Sequence, residues 1–345
     1  MNTINYRFNK MQNGQISEFD IQKLPPNAQF EIYARTDYES LLNFCRTGET
    51  YALQICGDDY FWKLKVEYDF GDIVDDFSNY VLGKRQELES WFEVYQDLRD
   101  KVSYELIEDV YNDYDAERMD QIRKILEMQR IKKFLDINYQ LSDGTTLLLE
   151  AVGKDGYADI IAELLDLGAD PLLTSAAGNV LMIASQLGNL EAVKELLKDS
   201  RVQSLINQPN DIGETPLILA ARSAVSGVDV VKTLVENGAD VNSADEEGYT
   251  ALTHAAKNGD LETVDFLLGV EGINMNVSTF GSDYTPLLWA IARGHEDVVK
   301  KLIDAGAEQF VGGGRIDALD VADRYGNQNI IDTIIQSRGT FGRFA

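Results

Sequence analysis

The chain has 345 residues, 44% hydrophobic and 26% charged, a balance typical of folded soluble protein, and its length exceeds one ordinary compact core. Fifty-eight Asp and Glu against 31 Lys and Arg leave a formal charge of −27, shared by both parts: 11 bases against 23 acids in residues 1–115, and 20 against 35 in residues 116–345. Such a surface repels phosphate backbones and anionic membranes, which excludes nucleic acid and membrane as partners and steers the chain toward proteins with basic surface.

Residues 1–7 carry no apolar leader core, and nowhere do 18 apolar residues run together. Cys45 and Cys56 are too few for a disulfide framework or a thiolate metal site, so a reduced, cytoplasmic location is expected. The sequon Asn276-Val277-Ser278 then carries no glycan.

Residues 1–113 lack any internal recurrence and are rich in aromatics, which predicts a separate, mainly helical domain. Within it Leu24-Pro25-Pro26 is followed by Ser40-Leu41-Leu42, Cys45-Arg46-Thr47 and Phe61-Trp62-Lys63. In order and spacing, residues 22–66 resemble an F-box, departing from it at Asn27, Ala28, Gln29 and Thr36. The resemblance implies a helical module docking on a Skp-family adaptor of cullin ubiquitin ligases through Leu24, Pro25, Leu41, Leu42, Cys45, Phe61 and Trp62. Leu41, Leu42, Phe44, Phe61 and Trp62 also read simply as the core of a small helical domain.

From residue 114 the pattern changes. Ile122, Ile125, Leu126, Ile131 and Phe134 are spaced for a helix, and with Asp136-Ile137-Asn138 they predict a degenerate opening repeat over about 114–141. Then Gly213-Glu214-Thr215-Pro216-Leu217 recurs as Gly248-Tyr249-Thr250-Ala251-Leu252 and as Asp283-Tyr284-Thr285-Pro286-Leu287. The central leucines Leu148, Leu181, Leu217, Leu252, Leu287 and Leu319 keep a period of 32 to 36 residues. Each copy continues to a second apolar run and a turn such as Gly238-Ala239-Asp240-Val241-Asn242 or Gly306-Ala307, predicting helix, turn, helix, loop. Thr215 and Thr285 are expected to cap helix starts with Pro216 and Pro286 at the first position, and Gly238 and Gly306 to end second helices in the left-handed conformation.

These residues closely resemble the ankyrin repeat. The resemblance implies an all-α solenoid in residues 114–345, with repeats at about 143–172, 176–209, 212–242, 247–276 and 282–310 and a closing cap at about 314–339. Ala177-Gly178-Asn179-Val180 departs from the pattern, and Ala224-Val225-Ser226 is inserted; both should perturb loops and leave the stack intact. The F-box-like start on such an array also resembles proteins that large DNA viruses and some intracellular bacteria place in host cells, which would move the location to a host cytoplasm or nucleus.

Chemistry finds little footing. His254 and His295 occupy structural repeat positions, no His/Cys cluster has metal-ligand spacing, and Asp69-Phe70-Gly71 lacks the other kinase motifs. Gly312-Gly313-Gly314 lacks the Lys-Ser/Thr of a phosphate loop and reads as a flexible connection. No catalytic residue, metal or cofactor is expected. The expected function is protein recognition on the concave face of the array, through Glu214, Arg222, Ser223, Ala244, Glu246, Glu247, Tyr249, Lys257, Asn258, Tyr284, Ala292 and Arg293. It would hold the substrate of an F-box ubiquitin ligase or, alternatively, serve as an ankyrin scaffold or inhibitor with no ligase role.

Overall fold

The computed structural model describes residues 91–111, 122–127, 135–223, 227–312 and 316–341, with Phe61, Trp62, Lys65, Val66, Asp69 and Gln129. They fall into two compact units, one of residues 1–141 with 166–169, the other of residues 142–165 with 170–345. Most of the described chain is helical, as expected of an all-α solenoid.

In the second unit each repeat begins its helix the same way. Thr146, Asn179, Thr215, Thr250 and Thr285 each sit in extended backbone, and each side-chain oxygen accepts from the amide three residues on. That satisfies a donor the helix would otherwise leave open. Asn179 thus does the work of threonine in the divergent second repeat, and Pro216 and Pro286 occupy first positions. Each first helix is followed by a second: α2 (Leu147–Val152) with α3 (Ala158–Asp166), and α4 (Val180–Leu187) with α5 (Leu190–Leu196). Next come α6 (Pro216–Arg222) with α7 (Gly227–Glu236), and α8 (Ala251–Asn258) with α9 (Leu261–Leu268). Last are α10 (Pro286–Arg293) with α11 (Glu296–Asp304), and α12 (Ala318–Tyr325) with α13 (Gln328–Phe341).

The helices α2, α4, α6, α8, α10 and α12 stack in one row, and α5, α7, α9, α11 and α13 in a second. The first row is built on a small residue at one equivalent position: Ala151, Ala184, Ala220, Ala255, Ala290 and Ala322 are all buried. The second row is built on Leu196, Leu234, Leu267 and Leu302, all fully buried. Burying each such leucine contributes about 1.5–3 kcal/mol, shared between its own repeat and the neighbours it stacks on. The loops add a side-chain ladder. Asn207 Oδ1 accepts from the Asp240 amide (2.8 Å), Asn242 Oδ1 from Asn274 (2.8 Å) and Asn276 Oδ1 from Glu308 (2.9 Å). Asn207 and Asn242 also donate to the Gly238 and Gly272 carbonyls. Gly238 and Gly306 adopt φ of +95° and +94°, as their position requires.

Two short strands flank the glycine run expected to form a flexible connection, of which Gly313 and Gly314 lie outside the described residues. Strands β1 (Phe310–Val311) and β2 (Ile316–Asp317) pair antiparallel, Phe310 opposite Asp317, bracketing the glycines. Arg338 of α13 secures this hairpin through Asp317, through Gln309 Oε1 (2.9 Å) and over the Phe310 ring at 4.6 Å. The inserted residues 224–226 lie outside the described residues.

In the first unit α1 (Trp91–Tyr111) packs against the helical residues Phe61, Trp62 and Lys65. Trp62 meets Phe61, Phe92 and Tyr95 with centroids 5.2, 4.7 and 5.4 Å away. Beside them a fully buried ion pair joins Lys65 Nζ to Asp69 Oδ2 at 2.6 Å, and the Tyr95 hydroxyl donates to the same oxygen at 2.7 Å. Among the described residues no helix is long and apolar enough to cross a membrane.

Candidate protein-binding surface

Four consecutive first-row helices end on a base: Arg222, Lys257, Arg293 and Arg324. A cation there complements the negative end of its own helix dipole. Because the helices stack, the same choice lines up four bases along one edge of a chain whose net charge is −27, Arg222 among them being paired with Glu214. Arg222, Arg293 and Arg324 are exposed, and Lys257 is half-buried.

Aromatic rings hold two of these cations, Lys257 and Arg293, in place. Lys257 Nζ lies 4.4 Å from the Tyr249 ring centre and 4.7 Å from that of Trp289, and the Arg293 guanidinium lies 5.9 Å from Trp289. The quadrupole of each ring attracts the charge. Tyr249 stacks on His254 at 5.0 Å and leans on Trp289 at 5.6 Å, while Tyr284 meets Trp289 edge-on at 5.5 Å. Trp289 Nε1 donates to Thr279 Oγ1 at 3.1 Å, which fixes the indole. Burial, then Arg293, lowers the affinity of Lys257 for its proton; burial, then Glu247 and Asp245, pushes the Tyr249 hydroxyl up; burial, then Tyr325, does the same at Tyr284.

In front of this row stand the finger loops that precede α6, α8 and α10. Each closes on itself through a backbone bond: Asn210 to Glu214 (2.9 Å), Asp245 to Tyr249 (3.0 Å) and Thr279 to Tyr284 (3.0 Å). Adjacent fingers are tied by the Glu246 amide to the Ile212 carbonyl (3.1 Å) and by Phe280 to Glu247 (2.8 Å). At their tips Ile212 is 54% and Phe280 74% exposed. Large apolar groups held in water on a stiffened loop are what a docking surface needs.

The residues expected at the binding surface differ in exposure. Arg222, Ala244, Glu246, Glu247, Asn258 and Arg293 are exposed, and Ser223, Lys257, Tyr284 and Ala292 are half-buried. Glu214 and Tyr249 are turned inward instead. Glu214 is 3% exposed, taken up by Asn210 and Arg222, and Tyr249, 9% exposed, is enclosed by His254 and Trp289. Sequence reading missed Ile212, Phe280, Trp289, Arg324 and Tyr325. Extending the alignment on the central leucines to the last repeat finds Arg324 and Tyr325, and the residues just before the finger glycines Gly213 and Gly281 are Ile212 and Phe280. Of the F-box-like set, Phe61 and Trp62 are buried in the first unit. Leu24, Pro25, Leu41, Leu42 and Cys45 lie outside the described residues.

One cluster has chemistry the sequence did not bring together. Glu214, Asp245 and His254 place a ligand-type atom each within 4.8 Å of one another. Burial holds the His254 imidazole well below its ordinary pKa, down to about 4, against the opposing pull of Asp245, so the ring is neutral at pH 7.

Residues 148–245, 181–279 and 227–312 each match the family model for ankyrin repeats. Neurogenic locus notch homolog protein 2 of Homo sapiens is 37% identical over 122 residues, 35% of this chain and 5% of that protein. Palmitoyltransferase AKR1 of Lachancea kluyveri is 28% identical over 181 residues, 52% of this chain and 20% of that protein. Probable 26S proteasome regulatory subunit p28 of Saccharomyces cerevisiae is 32% identical over 183 residues, 52% of this chain and 72% of that protein. The chain thus spans a small part of the first two and most of the third.

Proposed function

The chain belongs to the ankyrin-repeat family, and from that premise we propose that it is a non-enzymatic recognition protein whose fingers and first-row helix ends bind an extended segment of a protein partner. The segment carries carboxylates flanked by apolar side chains. The observation that supports this most is the run Arg222, Lys257, Arg293 and Arg324 beside the exposed Ile212 and Phe280, an oriented row of bases on a strongly acidic chain. It reverses, locally, the basic partner that net charge alone suggests. A photo-crosslinking side chain at Phe280 or Tyr325 is expected to capture the same cellular protein, and one at Lys232 on the second row is not. Equal capture from Lys232 would overturn the reading.

A finer reading keeps the chain as the substrate-holding adaptor of a Skp/cullin ubiquitin ligase, with domains at 1–113 and 114–345 and a cytoplasmic location. Its support is the resemblance of residues 22–66. Copurification of a Skp adaptor and a cullin tests it; a scaffold or inhibitor role remains if neither copurifies while the Phe280 partner does.

A further inference from the structure

We infer that Glu214, Asp245 and His254 form a binding site for one divalent transition-metal ion, zinc by ligand type, at the base of two adjacent fingers. Glu214 comes from the finger before α6, Asp245 from the next finger, and His254 from α8. Their ligand-type atoms lie within 4.8 Å of one another, and His254 Nε2 stands 3.6 Å from Asp245 Oδ2. That is too long for a hydrogen bond and close to the spacing of two ligands that share a tetrahedral ion at about 2.0–2.2 Å.

His254 supplies the independent observation. The residue is 7% exposed, and its Nε2 is buried without a hydrogen-bond partner among the described residues. A buried polar nitrogen facing two carboxylates has one of two faults without an ion. A lone pair there opposes negative charge, and an N–H there leaves its bond unmade. A cation bridging the three removes either fault. The carboxylates are already aimed. Asp245 Oδ1 accepts from the Glu247 amide (2.9 Å) and the Tyr249 amide (2.8 Å), which leaves Oδ2 toward His254. Glu214 Oε2 accepts from Asn210 Nδ2 at 3.0 Å, and Asn210 is itself held by the Ile212 and Glu214 amides. Such outer bonds orient metal ligands. A fourth position is left for water.

Arg222 is the competitor. Its guanidinium pairs with Glu214 Oε1, and its side chain is 41% exposed, so it can release the carboxylate into the site and turn to solvent. This gives the site a signature that general acidity lacks: removing Arg222 should strengthen metal binding.

The test titrates zinc chloride into chelator-stripped full-length protein at pH 7.5 by calorimetry, with cobalt(II) absorption reporting coordination geometry. One equivalent is expected to bind with a tetrahedral cobalt spectrum, at least tenfold more weakly in His254→Gln and Asp245→Asn and several-fold more tightly in Arg222→Gln. Glu214→Gln provides a third ligand change should either variant fail to melt cooperatively. No stoichiometric binding, or equal affinity in the wild type and the ligand variants, assigns any uptake to surface carboxylates and overturns the site.

Discussion

Gly259 ends α8 at φ +78°, its amide bonded back to Ala255, and a Cβ built there would lie 2.5 Å from Nδ1 and 2.7 Å from Cε1 of His295. His295 belongs to the next repeat and donates Nε2–H to the Lys257 carbonyl at 3.0 Å, closing an otherwise open helix end. Gly259→Ala therefore meets two costs. The left-handed backbone costs about 1 kcal/mol with any side chain. Displacing the imidazole loses its bond and leaves a part-buried carbonyl unsatisfied, about 1–3 kcal/mol more. Gly306 has φ +94° but nothing within 4 Å of its Cβ position, so Gly306→Ala meets the backbone cost alone. Urea unfolding followed by circular dichroism should show Gly259→Ala losing about 2–4 kcal/mol and Gly306→Ala about 1. Combining Gly259→Ala with His295→Ala should cost less than the sum of the two, since the clash is removed with the ring. Equal losses at the two glycines, or strict additivity with His295, would refute the idea that this contact joins the repeats.

Asn242→Ala deletes the bonds to the Asn274 amide and the Gly272 carbonyl and should cost about 1–2 kcal/mol in the same melts. In metal-free protein, the unfolded chain takes a proton on His254 near pH 6.5 while the folded chain resists until about 4. Burial opposes that proton most, Lys257 and Arg222 add to that opposition, and Asp245 favours the proton. Stability is therefore whole above pH 6.5 and falls as pH drops through that window, by up to about 3 kcal/mol, and His254→Gln should flatten the profile. Lys65→Met removes the buried cation from the Asp69 carboxylate, which keeps the Tyr95 hydroxyl, and should cost about 3–5 kcal/mol in the same melts.

What could be read from the sequence follows the range of the interactions. Thr215, Pro216, Ala220 and Leu217 are legible because a cap, a first turn and a stacking face are set within a few residues of each other. The β1–β2 hairpin was not legible, because its pairing depends on Arg338 fastening Asp317 from the last helix. Tyr249 reads as an exposed aromatic until Trp289, a whole repeat away, closes over it. Glu214, Asp245 and His254 look like ordinary surface acids and a repeat-position histidine, since only the stacking of one finger on the next brings them together.

The most direct measurement is the affinity of the partner captured at Phe280 for two charge-matched double variants. Arg293→Glu with Arg324→Glu reverses two exposed bases at the first-row helix ends, and Lys232→Glu with Lys301→Glu makes the same change in net charge on the second row. The first should weaken binding at least tenfold, and the second should stay within twofold of wild type. Equal losses, or a greater loss from the second-row pair, would contradict recognition by the finger and first-row surface.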